Sequence, residues 1–186
     1  HLFSYLALGD LHKRPSYSHA VVNNLVVKKR RPINKREAKR IKQGLLDTHG
    51  LDLPISAGNY EQAFSENFGV VIQYGHIIAL VLDDQIHLSV RGLLSHVPQA
   101  GWVQVDMGAV RFVCNGANVM SAGINEVSPE VVEGQYVWIR EENHHKPLAV
   151  GQALLSSKDM LSSEKGKAVK ALHYIGDKVW EYGVKD

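Results

Sequence analysis

The clearest period in the chain is helical. Asn34 stands at an N-cap position, Glu37 three residues on completes a capping box, and Ile33 and Ala38 occupy the hydrophobic-staple positions. Ala38, Ile41 and Leu45 share one face, which predicts a helix over about 34–48, ended by Gly50 and Pro54. Ahead of it Leu25-Val26-Val27 predicts a short strand, punctuated by Pro32, and Glu61 to Glu66 suggests a second helical stretch. Gly69 to Leu82 is rich in β-branched residues and interrupted by Gly75, so two strands are expected there. Asp83-Asp84 predicts a turn, after which Ile86, Leu88 and Val90 alternate with Gln85, His87 and Ser89 as in a half-buried strand. This half is therefore expected to be α+β. Residues 1–24 show no sustained period and are read as an extension of uncertain structure, and Pro98-Gln99-Ala100-Gly101 supplies the boundary that divides 25–97 from 98–186.

From Trp102 onward the pattern changes to short apolar runs separated by turn residues. Strands are expected at about 102–105, 110–120, 135–141, 148–156, 170–175 and 178–183, with Lys158 to Glu164 as the one helix. Asn115-Gly116, Gly123, Glu133-Gly134, Asn143 to Pro147 and Gly176-Asp177 punctuate them. Six strands with so little helix predict a small, mostly-β barrel, an architecture that protects its own edges. The expected fold class is thus an α+β unit followed by a small mostly-β pseudobarrel.

Charge alters this picture because of where it sits. The formal net charge of the 186 residues is only +2, yet nine of the 21 Lys and Arg residues fall between positions 28 and 42: Lys28, Lys29, Arg30, Arg31, Lys35, Arg36, Lys39, Arg40 and Lys42. Glu37 is the one acid among them, and the twelve basic and eighteen acidic residues elsewhere leave the remainder formally −6. Such polarisation is the footprint of phosphate contact, although a basic run is also an ordinary solvated helix face. Lys35 and Arg36 occupy the first helical turn, where the macrodipole disfavours cations by a few tenths to about 1 kcal/mol each. Stability alone would select acids there, and the conflict favours an anionic partner.

In the second half the residues resemble a known family. Val105 to Val113 (Val-Asp-Met-Gly-Ala-Val-Arg-Phe-Val), Asn115 to Met120, and Ala122-Gly123-Ile124 resemble the opening of a PUA domain, the RNA-binding module of pseudouridine synthases and archaeosine transglycosylases. Glu133 to Ile139 resembles its middle strand, Pro147 to Ala153 its strand ending in a Gly-x-Ala step, and Lys165 to Val169 the approach to its closing hairpin. His173 to Trp180 resembles the final hairpin of the malignant-T-cell-amplified protein and ligatin class of translation factors, in an archaeal-type member. That class pairs a PUA barrel with an N-terminal pre-PUA domain, to which residues 25–97 correspond in length and order.

The resemblance implies a non-catalytic protein that binds structured RNA, either small-subunit ribosomal RNA or the acceptor end of tRNA, in translation initiation or ribosome recycling. It implies the small ribosomal subunit and a second translation factor as partners, no DNA, no membrane, and a cytoplasmic location. The alternative is an RNA-guiding accessory module of a tRNA- or rRNA-modifying enzyme; a third reading is an adaptor whose basic helix docks an acidic partner. The resemblance turns Gly108, Ala109, Arg111, Gly116, Ala117 and Asn118 toward RNA, joined by Lys28, Lys29, Arg30, Arg31, Lys35, Arg36, Lys39 and Arg40 from the basic segment. Read from the residues alone, Asp106 caps the turn Met107-Gly108-Ala109 and leaves backbone N–H groups for phosphate. Gly108 serves either a ligand approach or a tight turn. Arg111, at the start of a strand, either reaches phosphate or pairs with a surface acid. Asn115-Gly116 and Gly123 either satisfy turns or touch the ligand. Tyr136 and Tyr174 are the aromatic residues placed to stack on bases, whereas Trp138, and Trp180 with Tyr182 on one face of the last strand, read as packing.

No catalytic signature is present. The chain has no Gly-x-x-x-x-Gly-Lys-Ser/Thr loop, Gly-x-Ser-x-Gly elbow or His-Glu-x-x-His. His144-His145 fall in a turn and do not suggest metal, no cofactor is expected, and the single cysteine, Cys114, reads as a small buried residue on a strand. One cysteine forms no internal disulfide, which points to a reducing compartment. The opening residues His1 to Asp10 carry no export signal, and the longest apolar run, Ile77 to Leu82, falls far short of the roughly 20 residues that span a bilayer.

Overall fold

The capping box read from the sequence forms in the computed structural model, which describes residues 24–185. The expected extension therefore lies, but for Asn24, outside the described residues. Helix α1 (Lys35–His49) starts at Asn34, whose side chain accepts from the Glu37 N–H at 2.9 Å while the Glu37 carboxylate accepts from the Asn34 N–H at 2.8 Å. Its buried stripe is Ala38, Ile41 and Leu45.

That stripe covers a five-stranded antiparallel meander, β1 (Lys28–Pro32), β2 (Tyr60–Phe64), β3 (Gly69–Gln73), β4 (His76–Leu82) and β5 (Gln85–Leu88), in sequential order. Three expectations change here. The first strand is the basic run itself rather than Leu25–Val27, two of whose side chains, Leu25 and Val27, pack beside a core cluster. The segment expected as a helix at 61–66 is β2, because pairing on both sides, to β1 and to β3, outweighs the helix propensity of Glu-Gln-Ala. The strand expected through Val90 stops at Leu88, and Ser89 caps a short helix α2 (Val90–Ser95). Gly75 and Asp83-Asp84 form the expected turns, all three with positive φ.

The second sheet holds β6 (Trp102–Val105), β7 (Val119–Met120), β8 (Ile124–Val127), β9 (Tyr136–Glu141), β10 (Pro147–Ala153) and β11 (Lys167–Tyr174), in the order β7-β11-β10-β9-β6-β8. All of its pairs are antiparallel except β6 with β9, and the sheet curls into the nearly closed pseudobarrel that the sequence predicts. Two predicted strands, 110–120 and 178–183, begin as helices, and of the first only Val119–Met120 is strand. Residues 107–113 form α3 (Met107–Val113) and residues 178–181 form α5 (Lys178–Glu181), started by the side chains of Asp106 and Asp177 respectively. Helix α4 (Ser157–Ser162) lies close to the predicted one, and β8 had no counterpart in the sequence reading.

The Gly151 step of β10 has a packing cause. A Cβ there would lie 2.5 Å from Val169 Cγ1 and 2.6 Å from the Lys170 carbonyl oxygen, at the point where the register between β10 and β11 shifts. Gly151→Ala is expected to cost about 2–3 kcal/mol through forced backbone displacement, read as a lowered urea midpoint.

The two sheets share their cores. Trp102, Trp138 and Val150 pack into the cluster beneath α1, while Tyr136, Leu172 and Val179 join the opposite face of the first sheet. Polar links cross the same seam. Tyr136 Oη donates to Asp83 Oδ2 at 2.7 Å, and the buried Val90 N–H donates to His173 Nε2 at 3.0 Å. Arg91 donates to the Trp180 carbonyl at 2.8 Å with its guanidinium 4.1 Å from that indole's centroid. Tyr136 is therefore a seam residue and not a base-stacking platform, and Trp180 lies within α5 with Tyr182 as its C-cap, so the two do not share a strand face. Tyr174 is half-buried at the end of β11.

Candidate nucleic-acid interface

Helix α3 and the short strand β7 enclose a cleft of about 570 Å³ whose walls include Gly108, Ala109, Phe112, Ala117, Asn118, Met120 and Lys167. Four of the six residues expected in this region line it. Asp106 fixes its rim: its carboxylate accepts from the Ala109 N–H at 2.9 Å, and its own N–H donates to the Gly123 carbonyl at 2.9 Å. A Cβ on Gly123 would come within 3.1 Å of Ala109 Cβ, so this glycine serves close approach rather than a positive φ. Gly116, in contrast, has φ 85° in the turn that ends α3. Asn118 Oδ1 accepts from the Ala171 N–H at 2.9 Å and ties the cleft floor to β11.

The helix start differs from the expectation of open N–H groups. Glu142, 35 residues away, reaches over so that Met107 N–H donates to its Oε1 at 2.9 Å while Asn125 donates to its Oε2 at 2.6 Å. With Asp106 and Glu142 both at this end, two carboxylates already occupy the place assigned to phosphate. Gly108 sits beside them in helical conformation, so a tight turn does not require it. A Cβ there would meet only Asp106 Oδ1, at 3.3 Å, and otherwise enter the cleft. Arg111 belongs to the helix, not to a strand, and its guanidinium lies 4.7 Å from the exposed Phe112 ring. Cys114, expected on a strand, is the half-buried C-cap of α3, and burial raises its thiol pKa.

Sequence reasoning missed Phe112, Met120 and Lys167. Phe112 is 53% and Met120 46% exposed, so the cleft presents an aromatic edge and a thioether to solvent with Lys167 as its cation. The signal lay in the helical period: Val113 points inward from α3, which turns Arg111 and Phe112 outward.

The basic segment divides by partner. Arg30 forms two 2.7 Å hydrogen bonds with Glu61 and a 3.2 Å bond with Tyr182 Oη, and the Glu61 carboxyl lies below its usual range because of the Arg30 hydrogen bond. Arg31 pairs with Glu37, whose carboxyl that hydrogen bond lowers in the same way. Lys42 meets Asp52 at 3.1 Å and Arg40 a more distant Asp84 at 3.9 Å. Among the described residues Lys28, Lys29, Lys35, Arg36 and Lys39 have no ion-pair partner, and all five are exposed. Lys28 and Lys29 lie on the edge strand β1, where lysines also deter sheet extension.

A family model described as the PUA domain matches residues 101–175. An uncharacterised protein of Methanocaldococcus jannaschii is 37% identical over 158 residues, covering 84% of this chain and 98% of that protein. The chain belongs to the PUA-domain proteins. It is related to translation machinery-associated protein 20 and the malignant T-cell-amplified proteins, a non-catalytic, RNA-binding family. Translation machinery-associated protein 20 of Saccharomyces cerevisiae is 34% identical over 89 residues, 45% of this chain and 49% of that protein. The chain thus spans about half the length of the translation-associated relatives it matches. A hypothetical protein from Pyrococcus horikoshii has the same architecture, with a TM-score of 0.69, 30% identity, and coverage of 82% of this chain and 98% of its own. Among the described residues no helix is long and apolar enough to cross a membrane, and no group of three or more His, Cys, Asp or Glu side chains is placed to hold a metal ion.

Proposed function

We propose that this PUA-domain protein grips the acceptor end of tRNA, with small-subunit ribosomal RNA as the other structured ligand, in translation initiation or recycling. The observation that supports it is the α3–β7 cleft. It is apolar, of single-nucleotide scale and open to solvent, and suits an unpaired base or ribose better than a run of phosphates, which the carboxylates of Asp106 and Glu142 would repel. Gly108, Ala109, Ala117 and Asn118 shape the cleft, Arg111 and Gly116 flank it, and Phe112 offers a stacking edge. Lys28, Lys29, Lys35, Arg36 and Lys39 add salt-sensitive attraction, whereas Arg30, Arg31 and Arg40 contribute charge already shared with acids. Residues 25–97 and 98–186 act as the two units of this cytoplasmic reading, with the small ribosomal subunit and a second factor as partners.

The test is binding of tRNA with and without its unpaired 3′-terminal nucleotides. Phe112→Ala is expected to weaken binding about tenfold, within the roughly 1–3 kcal/mol that a stacked base contributes. It should have almost no effect on the truncated tRNA. Equal affinity of wild type and variant for both RNAs would overturn the assignment of the cleft. Independently, Arg36→Glu with Lys39→Glu should flatten the plot of log affinity against log salt by about 2, one for each lost phosphate contact. An unchanged slope would remove the basic helix from the interface.

A further inference from the structure

A second cleft, also about 570 Å³, opens at the seam between the sheets. Helix α1 supplies Arg40, Gln43 and Asp47, the β4–β5 turn supplies Asp84, β5 opens with Gln85, and Gln135 immediately precedes β9, with the rings of His87 and Tyr136 in the wall. It is polar and distinct from the α3–β7 cleft in every lining residue.

Its chemistry is graded along one helix face. Arg36, Arg40, Gln43 and Asp47 recur at helical spacing, so cations stand at one end of the stripe and a carboxylate at the other. Asp84 lies 3.9 Å from Arg40 at the cationic end, Gln43 Nε2 donates to Asp47 Oδ1 at 2.7 Å, and the amides of Gln85 and Gln135 supply further donors and acceptors. The wall is uncharged. His87 is 6% exposed with its ring centroid 4.8 Å from that of Tyr136, and burial, reinforced by His49, pushes its pKa down to about 3. The lip is fixed in place, since Asp83 and Asp84 both hold positive φ and Tyr136 Oη bonds Asp83 across the seam.

We infer that this seam cleft takes one unpaired nucleotide, its base beside Asp47 and the glutamine amides and its phosphate toward Arg36 and Arg40. The inference rests on the RNA-binding reading above and adds a second subsite to it. The Asp47 carboxylate sets the preference. Guanine presents N1–H and a 2-amino group side by side to a carboxylate, adenine and cytosine present one amino group, and uracil presents none. A free phosphate or other small anion gains nothing from the acidic end, which separates a nucleotide site from a simple anion site.

The experiment titrates the full chain with GMP, AMP, CMP, UMP and inorganic phosphate, following backbone amides by two-dimensional NMR. GMP is expected to shift residues 43–48, 84–87 and 135–136 at the lowest concentration and UMP at the highest. Asp47→Ala with Gln135→Ala, both at the cleft surface, should weaken GMP at least about tenfold while leaving the shifts of distant amides unchanged. The inference fails if no nucleotide moves these residues, if phosphate alone moves them equally, or if the double variant binds GMP as wild type does. Parallel tRNA titration separates the two readings: retained tRNA binding with a silent seam overturns the inference alone, and absent tRNA binding overturns the RNA reading itself.

Discussion

Asp177→Ala is expected to remove about 3–5 kcal/mol of stability, the range for stripping one member from a buried polar pair. The carboxylate is buried and accepts three hydrogen bonds: from His173 Nδ1 at 2.8 Å, from the Tyr174 N–H at 3.0 Å and from the Trp180 N–H at 2.9 Å. Burial by itself would raise its pKa; the His173 hydrogen bond, with the two backbone donors, outweighs burial and holds the carboxyl below its usual range. The far side of the same imidazole accepts from Val90 N–H, so the chain Asp177, His173, Val90 crosses from one sheet's territory to the other. His173 must therefore carry its proton on Nδ1.

That requirement makes Asp177→Asn the discriminating variant. As a helix cap asparagine equals aspartate. As a partner for Nδ1–H it serves only if its amide oxygen takes the place of Oδ2, which keeps the Tyr174 N–H bond but turns the NH₂ toward the Trp180 N–H that Oδ1 caps. With the NH₂ facing the ring, the imidazole must move its proton to Nε2, directly opposite the Val90 N–H. The asparagine variant should lose most of what alanine loses, measured by urea denaturation monitored with tryptophan fluorescence. Recovery to within about 1 kcal/mol of wild type would show that Asp177 acts only as the cap of α5.

How far the sequence could be read depended on how local each cause was. The α1 cap, its staple and the Gly75 and Asp83-Asp84 turns are decided within a few residues, and all form as expected. Tyr60 to Phe64 was misread because its strand state comes from partners on both sides, one of them 30 residues earlier. Val110 to Val113 looks like a strand in composition, and Lys178 to Glu181 is too short for a period to show; in both, the helix started by the aspartate cap runs on through the segment. At the α3–β7 cleft, the lining residues Gly108, Ala109, Ala117 and Asn118 stand in a family motif that the sequence displays. The Glu142 cap on α3 could not be read there, since nothing near Met107 in sequence announces a carboxylate 35 residues on. The seam cleft needed three separated segments and a packed junction to exist at all.

Acid should destabilise the protein well before its paired carboxylates titrate, because a half-buried histidine, His49, and a buried one, His87, stand uncharged beside each other. Burial pushes the His49 pKa down to about 4, and burial together with its neighbour His49 pushes His87 down to about 3. Their ring centroids are 5.8 Å apart, and His49 Nε2 accepts from the Leu88 N–H at 3.0 Å, a bond that protonation abolishes. In the unfolded chain both rings take up a proton near pH 6.5, so between that value and about 4 the unfolded state binds more protons. Stability is therefore complete above pH 6.5 and falls as the pH drops, by about 2 kcal/mol per ring between pH 7 and 5. Glu37, Glu61 and Asp177, all with lowered pKa values, add their losses only below that window. Urea midpoints at pH 7, 6 and 5 should descend steeply for wild type. In His49→Gln with His87→Gln the descent should shrink to less than half, although the variant starts lower because glutamine fills neither ring's space. A variant whose midpoint falls as steeply as wild type would place the acid sensitivity elsewhere in the fold.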